Sequence, residues 1–421
     1  MKNFDVIVIG AGVSGSTFAS KISKFSNVLV LEARDEKDLL MNTNVFPEHN
    51  RPYFGELEWT DKSVFPCLHE RMRYLGSEDE GIVDSNEFGA PFGNMTYLEL
   101  LTKKLLQNCE DNGGTVQFNE KITKISRTTN KVEVITNNGK SYSGKMLILA
   151  TGSYSFKLQR SLGFGTPDKY MGVFTHLYGD EDKINENVGV NYMYHINTTI
   201  SKNGPLYINK GKERLAIGFL GTKESPSELV SKLNRILNNY KRIQPYIEGL
   251  KKVSEPIAIN VSKHPIKAFS QDRCLVLGEA AGLLTAFFYE GVGTGIISAD
   301  VAAKVIKPLL EDNSNFTHSE LMKHDQEINR ILLKNYFRNG NGSEYVFYKA
   351  PSHMKLLWDL YIDLINTSKT LRKNIWEAYR MHDLENYDLK RDRWVGEKLF
   401  VKLPTLTKFT MGVRFLKAIF K

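Results

Sequence analysis

The segment Gly10-Ala-Gly12-Val-Ser-Gly15 limits the fold more than any other feature of these 421 residues. It follows the apolar run Phe4-Asp-Val-Ile-Val-Ile-Gly10, and residues 13–25 after it are rich in small side chains. Such a run suits a parallel strand buried on both faces, and the stretch that follows reads as a helix. The first glycine permits a tight strand-to-helix turn, the second lets backbone approach a pyrophosphate, and the third lets the helix pack on the sheet. The start of the helix then offers unpaired N–H groups and a positive dipole end to phosphate. A second buried strand, Asn27-Val-Leu-Val-Leu-Glu32, ends in an acid 22 residues after Gly10, placed to accept hydrogen bonds from ribose hydroxyls. These residues predict a βαβ unit that binds a dinucleotide.

Two later segments extend that reading. Leu149-Ala150-Thr151-Gly152-Ser153 is a strand ending in small residues. Leu277-Gly278-Glu279-Ala280-Ala281-Gly282 is another, followed by Glu290-Gly291-Val292-Gly293 at the start of a helix at about 291–310. An acid at a strand end can hold a ribityl hydroxyl, and a second helix N-terminus can face a pyrophosphate or a flavin edge that gains negative charge on reduction. One extended dinucleotide lying across a single sheet accounts for all three sites. Elsewhere, 40–95 reads as irregular with Pro47, Pro52, Pro66 and Pro91 as breakers, and 96–111 as a helix. A hairpin is expected around 137–139, a strand-rich stretch over 170–265 with a helical insert near 226–247, and helices over 316–421.

Composition narrows the class. With 41% hydrophobic and 25% charged residues the chain is that of an ordinary folded protein, and no segment reaches the ~20 apolar residues of a membrane span. Cys67, Cys109 and Cys274 form no Cys-x-x-Cys pair, so neither a zinc site nor a disulfide framework is expected; free thiols suit a cytoplasmic location. Of the net charge of +8, residues 390–421 carry nine Lys/Arg against Asp392 and Glu397. Nucleic-acid binding would show a wider basic face. A helix over 405–421 would instead carry Phe409, Val413, Leu416 and Phe420 in one stripe between Lys408, Arg414, Lys417 and Lys421, the pattern of a peripheral contact with the inner face of the membrane.

The chain resembles the geranylgeranyl reductase branch of the FAD-dependent monooxygenase-like flavoproteins over roughly residues 1–310. Gly278-Glu279-Ala-Ala-Gly282 through Glu290-Gly291-Val292 is similar to that family's G-D-A-A-G-x-x-x-P-x-x-G-E-G-I at identical spacing. Glu290 and Thr294 stand where the aromatic hydroxylases carry Gln and Asn. Thr151 and Glu279 replace two family aspartates, Ala286 and Tyr289 replace its proline and glycine, and Phe54 falls on a usual cysteine. A faint echo of the family's aromatic substrate motif lies at Gly204–Gly211.

The resemblance implies an α/β glutathione-reductase-like fold. Residues 1–50, 95–160 and 266–310 would form an FAD-binding Rossmann domain, 51–94 and 161–265 a mixed-sheet substrate domain, and 311–421 a C-terminal helical region. FAD would lie against Gly10, Gly12, Val13, Ser14, Gly15, Glu32, Ala33, Arg34, Ile122, Ala150, Thr151, Gly152, Gly278, Glu279, Gly291, Val292 and Gly293. The expected activity is prenyl reduction, with NADPH or ferredoxin as reductant. A flavin monooxygenase or halogenase, and a non-redox cyclase, are the alternatives. Reduction of an unpolarised alkene needs a hydride and a separately delivered proton. Glu290 and Tyr289 are the candidate donors, and His176, His195, Tyr207, Phe287 and Phe288 the candidate pocket.

Overall fold

The computed structural model describes residues 2–54, 61–190, 193–197 and 199–418, with only the backbone of the strand at 193–197. Its first sheet runs Ser270–Gln271, Cys274–Val276, Ser141–Leu149, Lys2–Ile9, Val28–Leu31, Thr115–Gln117. The four central pairings are parallel. The near-continuous apolar runs follow from cover on both faces. Ile7, Ile9, Leu29, Leu31, Leu147 and Leu149 enter one core cluster, while the alternate residues Val6, Val8, Val28, Val30, Met146 and Ile148 enter another. On the second face lie helices Val13–Ile22 and Val292–Glu311, whose small residues (Ala19, Ala299, Ala302, Ala303) let them lie close to the sheet. The expected hairpin is present: Val132–Thr136 turns back into Ser141–Leu149, with Gly139 at φ +73°.

A second sheet runs Lys251–Lys252, Asp168–Tyr178, Arg214–Leu220, Leu206–Lys210, Met193–Asn197, Arg71–Leu75, Glu80–Asp84, with Ile257–Lys263 also paired to Asp168–Tyr178. One face buries Val173, Leu177, Ile208, Ile217 and Phe219 under helix Pro226–Asn239, which begins on a Ser225/Glu228 capping box. Residues 40–95 are more regular than expected. Arg71–Leu75 and Glu80–Asp84 complete this sheet, and Thr43–Pro47, Gly93–Tyr97 and Leu68–His69 form a third, three-stranded one. The prolines fall at strand ends or between strands, where no ladder N–H is lost.

The C-terminal region is helical: Asn329–Phe337 is a π-helix between two α-helices, and Leu384–Asn386 is a short 3-10 turn. The last helix, Thr405–Ala418, turns Met411 and Phe415 inward. Phe409, Val413 and Leu416 of the expected stripe point outward at 80%, 59% and 63% exposure, joined by Leu406 at 83%. Phe420 lies outside the described residues.

Candidate functional site

The glycine turn is built by close backbone contact. Gly10 has φ +101°, and a Cβ there would lie 2.3 Å from the Ala150 carbonyl oxygen; one on Gly15 would lie 2.0 Å from that of Gly10. A Cβ on Gly12 or Gly152 would meet nothing within 4 Å, so those backbones face open space. The late motif closes on the same turn. A Cβ on Gly278 would sit 2.0 Å from Ser14 Oγ, and the Gly278 N–H donates to Ser298 Oγ at 3.2 Å. Residues 264 positions apart therefore share one crevice at the carboxyl ends of the strands, where open α/β sheets bind ligands.

Two acids sit at strand ends. Glu32 accepts from the Ala11 N–H at 2.8 Å, and from the Arg34 N–H and Nε at 3.0 Å each. Burial pushes its carboxyl up, but Arg34 and the two N–H groups outweigh that and hold it below the ordinary range. Glu279 is the opposite case. Burial dominates and raises it to about 7, against the Ser262 N–H (3.0 Å) and the Ser153 hydroxyl. Its contribution to stability is complete below pH 4.5 and is lost as pH rises through 7. Glu279→Gln is accordingly expected to stabilise the apoprotein at pH 8 by about 3 kcal/mol and to have no such effect at pH 4.5. Melting temperatures of both proteins at the two pH values check this.

At the N-terminus of Val292–Glu311, Gly293 is pressed by Asn50: a Cβ there would lie 2.3 Å from Asn50 Oδ1. Asn50 is fully buried, and neither its Oδ1 nor its Nδ2 finds a partner among the described residues. Its neighbour His49, pushed down to about 4 by burial, has Nδ1 3.1 Å from the Ala378 carbonyl. Glu290 accepts a hydrogen bond from the Tyr336 hydroxyl, and its N–H donates to Thr285 Oγ1 at 2.9 Å. Burial holds the Glu290 carboxyl above its ordinary range despite Tyr336. Tyr336 comes from the π-helix, and its ring meets His49 edge-on at 5.7 Å. Tyr289 has φ +59°, a left-handed conformation natural to the glycine it replaces. Its hydroxyl donates to the Asn203 carbonyl across to the second sheet.

The fit to an extended dinucleotide rests on exposure. Gly12, Val13, Ser14, Thr151, Gly152, Glu279, Glu290, Gly291 and Val292 are each half-exposed among buried neighbours, a line of accessible residues crossing the sheet. Asn50 adds an unpartnered amide beside one end of that line. Ile122 is buried in the core cluster with Ile7 and Leu31, while Ala33 and Arg34 are exposed.

The expected pocket residues divide. Phe287 and Phe288 touch at 4.3 Å between ring centres, and Phe287 stacks on Trp358 at 5.7 Å and 11°. Tyr207 packs on the same cluster. His176 shares the sheet face of Tyr207, since His176 pairs with Ala216 and Tyr207 with Gly218. Its ring neighbours, however, are Phe174 and Tyr178. Burial pushes it down to about 4, and its Nε2 finds no partner among the described residues. The side chain of His195 lies outside the described residues. Sequence reasoning missed Asn50, Tyr336 and Ser262; each reaches the site from a distant segment, and no local pattern marks any of them.

No family model matches the chain. A digeranylgeranylglycerophospholipid reductase of Thermoplasma volcanium is 21% identical over 90% of this chain and 97% of its own length. An uncharacterised protein of Methanosarcina barkeri is 25% identical over 80% and 83%. Among solved structures, a geranylgeranyl bacteriochlorophyll reductase-like protein of Thermoplasma acidophilum superposes with TM-score 0.72 at 18% identity, over 98% of this chain and all of that one. The halogenase PltM, solved with phloroglucinol and FAD, gives 0.69 at 15%, over 99% and 96%. The fold is thus that of the FAD-binding Rossmann-type flavoproteins.

Proposed function

We propose that this chain, an FAD-dependent oxidoreductase of the geranylgeranyl-reductase type, saturates isoprenoid double bonds of a membrane lipid or prenyl chain. The observation that carries the reading is the aromatic wall. Phe287 and Phe288 lie in the loop that also carries Glu290, and they pack on Phe347, Tyr348 and Trp358, giving an apolar surface beside the cleft. The names of the curated relatives support it.

FAD, when bound and reduced, supplies the hydride. Gly10, Gly12, Val13, Ser14 and Gly15 would hold its pyrophosphate, with Glu32, Ala33 and Arg34 beside the adenosine ribose. Ala150, Thr151, Gly152, Gly278 and Glu279 would follow the ribityl chain, and Gly291, Val292 and Gly293 the flavin edge. The first sheet and its helices then serve as the FAD domain, and the second sheet as the roof over the substrate. The alkene also needs a proton, which must come from a group that keeps one near neutral pH. Glu290 is that group: burial favours its protonated form and Tyr336 fixes its direction. Tyr289 is placed second, because its hydroxyl is committed to Asn203. Glu290→Gln is expected to slow prenyl reduction by roughly 10²–10⁴ and leave FAD content unchanged; wild-type turnover would remove Glu290 from this role.

The deciding experiment is anaerobic photoreduction of the FAD-loaded protein followed by a geranylgeranylated lipid. Reoxidation of the flavin with a gain of about two hydrogens per double bond is expected. A flavin that stays reduced until oxygen enters would favour the monooxygenase or halogenase reading, which the halogenase-like fold keeps in view. NADPH and ferredoxin, added in turn, identify the physiological class of reductant.

We place a peripheral membrane contact at residues 405–421. No described helix is long and apolar enough to cross a membrane. The outward Leu406, Phe409, Val413 and Leu416, on a helix that also carries Lys408 and Lys417, suit an interfacial helix on anionic lipid. Deleting 405–421 should release the protein from anionic liposomes; undiminished co-sedimentation would refute the contact.

A further inference from the structure

A cavity of about 630 Å³ opens where helix Pro226–Asn239 meets the start of helix Met354–Thr367. It shares no residue with the flavin cleft. Three lysines line it, Lys202, Lys232 and Lys355, against one acid, Glu224. That acid shows what the mouth attracts. Its carboxylate accepts from the Thr222 N–H at 2.6 Å, the Lys223 N–H at 2.9 Å and Lys232 Nζ at 2.8 Å. Burial pushes its carboxyl up, yet these donors bring it down to about 2. Lys202 and Lys355 are exposed, and Lys355 leans on Asp359 at 3.2 Å. The mouth therefore holds one anion of its own and keeps cationic side chains turned to solvent.

Part of its wall is apolar. Ile200, Tyr240, Pro351 and Met354 line it. Buried Met354 belongs to the same cluster as Phe287, Phe288 and Trp358. On the other side, His353, next to Met354, has Nε2 3.5 Å from Thr410 Oγ1, and Arg414 donates to the Tyr345 carbonyl at 2.8 Å. Both contacts belong to the last helix, whose outer stripe is exposed. Met354 is thus the lining residue that joins the cavity to the aromatic wall beside the flavin cleft.

We infer that this cavity is a head-group port, which takes the phosphate-bearing head of an anionic lipid on its lysines while the chains run past Met354 toward Phe287 and Phe288. The inference rests on the prenyl-lipid reading for its direction, but not for the binding itself. Glu224 already takes Lys232 and the two backbone N–H groups, so the attraction falls to the solvent-facing Lys202 and Lys355, and the apolar side chains beside them select an amphiphile over a free ion.

The test is calorimetry on the FAD-loaded full chain with dihexanoyl phosphatidylglycerol, dihexanoyl phosphatidylcholine and inorganic phosphate. Chains this short stay dissolved, so membrane adsorption does not enter. Phosphatidylglycerol is expected to bind at least about tenfold more tightly than either of the others, and Lys202→Glu/Lys355→Glu to weaken it by about tenfold or more. Lys202→Gln/Lys355→Gln should give a smaller loss in the same direction. Lys202 and Lys355 are both exposed, so neither pair of changes removes a buried side chain. Unchanged lipid affinity in both double variants overturns the port. So does inorganic phosphate that binds as tightly as the lipid, which would mark a free-anion site, or phosphatidylcholine that matches phosphatidylglycerol. Wild-type protein that binds the lipid with this pattern yet leaves geranylgeraniol unreduced would sink the reductase reading and leave the port standing.

Discussion

Gly15→Val is expected to purify without the yellow of bound FAD, while Gly113→Ala keeps it. Space decides the outcome. A Cβ on Gly15 would stand 2.0 Å from the Gly10 oxygen and 3.2 Å from the Ala150 Cβ. Gly10 cannot retreat, because its own N–H is bonded to the Leu31 oxygen at 2.9 Å and Ala150 is bonded to Ile9. The strain must therefore go into the turn that would hold the pyrophosphate. Overpacking of this kind costs about 1–3 kcal/mol, and a similar loss from cofactor binding weakens it by on the order of 100-fold. Gly113 has φ +86° with nothing within 4 Å of its Cβ position, so alanine there costs about 1–2 kcal/mol of backbone strain and leaves the crevice untouched. The measurements are flavin absorbance per protein and the melting temperature. Full flavin content in Gly15→Val would show that this turn does not hold the cofactor.

Glu344→Leu is expected to lower folding stability by about 3–5 kcal/mol. Lys263 is fully buried on strand Ile257–Lys263, and its Nζ lies 2.6 Å from Glu344 Oε1. His264 Nε2 approaches the other carboxylate oxygen at 3.2 Å, and Lys349 lies 3.6 Å from the first. The two partners do not gain alike. Burial lowers Lys263 below its ordinary range in spite of Glu344. Glu344 is pushed up by burial, yet with His264 and Lys263 as its main cations it comes down to about 2. The pair's net worth is small, and the cost arises when one charge is left alone. Lys263→Met/Glu344→Leu should recover much of the loss.

Glu344→Gln isolates the charge. The carboxylate's contribution, about 3 kcal/mol for a fall from 4.5 to about 2, is present above pH 4.5 and vanishes as pH drops through 2. His264 is raised above 6.5 by its bond to Glu344, so its share is present below pH 6.5 and is lost as pH climbs through the raised value. The gap between wild type and Glu344→Gln should therefore be widest between pH 4.5 and 6.5. Urea midpoints at pH 2.5, 5.5 and 8.5 measure it, and a gap that ignores pH would contradict this account.

What could be read from the sequence was local. Gly10 to Glu32 form one continuous unit whose strand, turn, helix and strand each leave a pattern, and the whole unit sits where those patterns put it. Gly278 to Val292 was legible for the same reason. The place of Arg71–Leu75 was not: beside its local hairpin partner Glu80–Asp84 it pairs in parallel with Met193–Asn197, over 120 positions away, and five residues carry no signal of that. Lys263 and Glu344 lie 81 positions apart, and each alone reads as an ordinary surface charge. The π-helix at Asn329–Phe337 escaped because its wider turn barely alters apolar spacing over nine residues, so Tyr336 could not be aimed at Glu290. Asn50 gave no signal, since an amide in a proline-flanked loop predicts a turn.

The closure of Gly278 on Ser14 also has a meaning in time. On a ribosome adding ~5–20 residues per second, the first loop waits on the order of ten seconds to a minute for the second. Until Cys274–Val276 emerges and pairs with Ser141–Leu149, the crevice has one wall, and nascent protein offers the nucleotide a turn without its counterpart. If the proposed residues hold the flavin, its uptake is a late event in each polypeptide's life. With the proposed site, a chain truncated before Gly293 is expected to stay colourless, and flavin absorbance of the truncated and full-length proteins measures it.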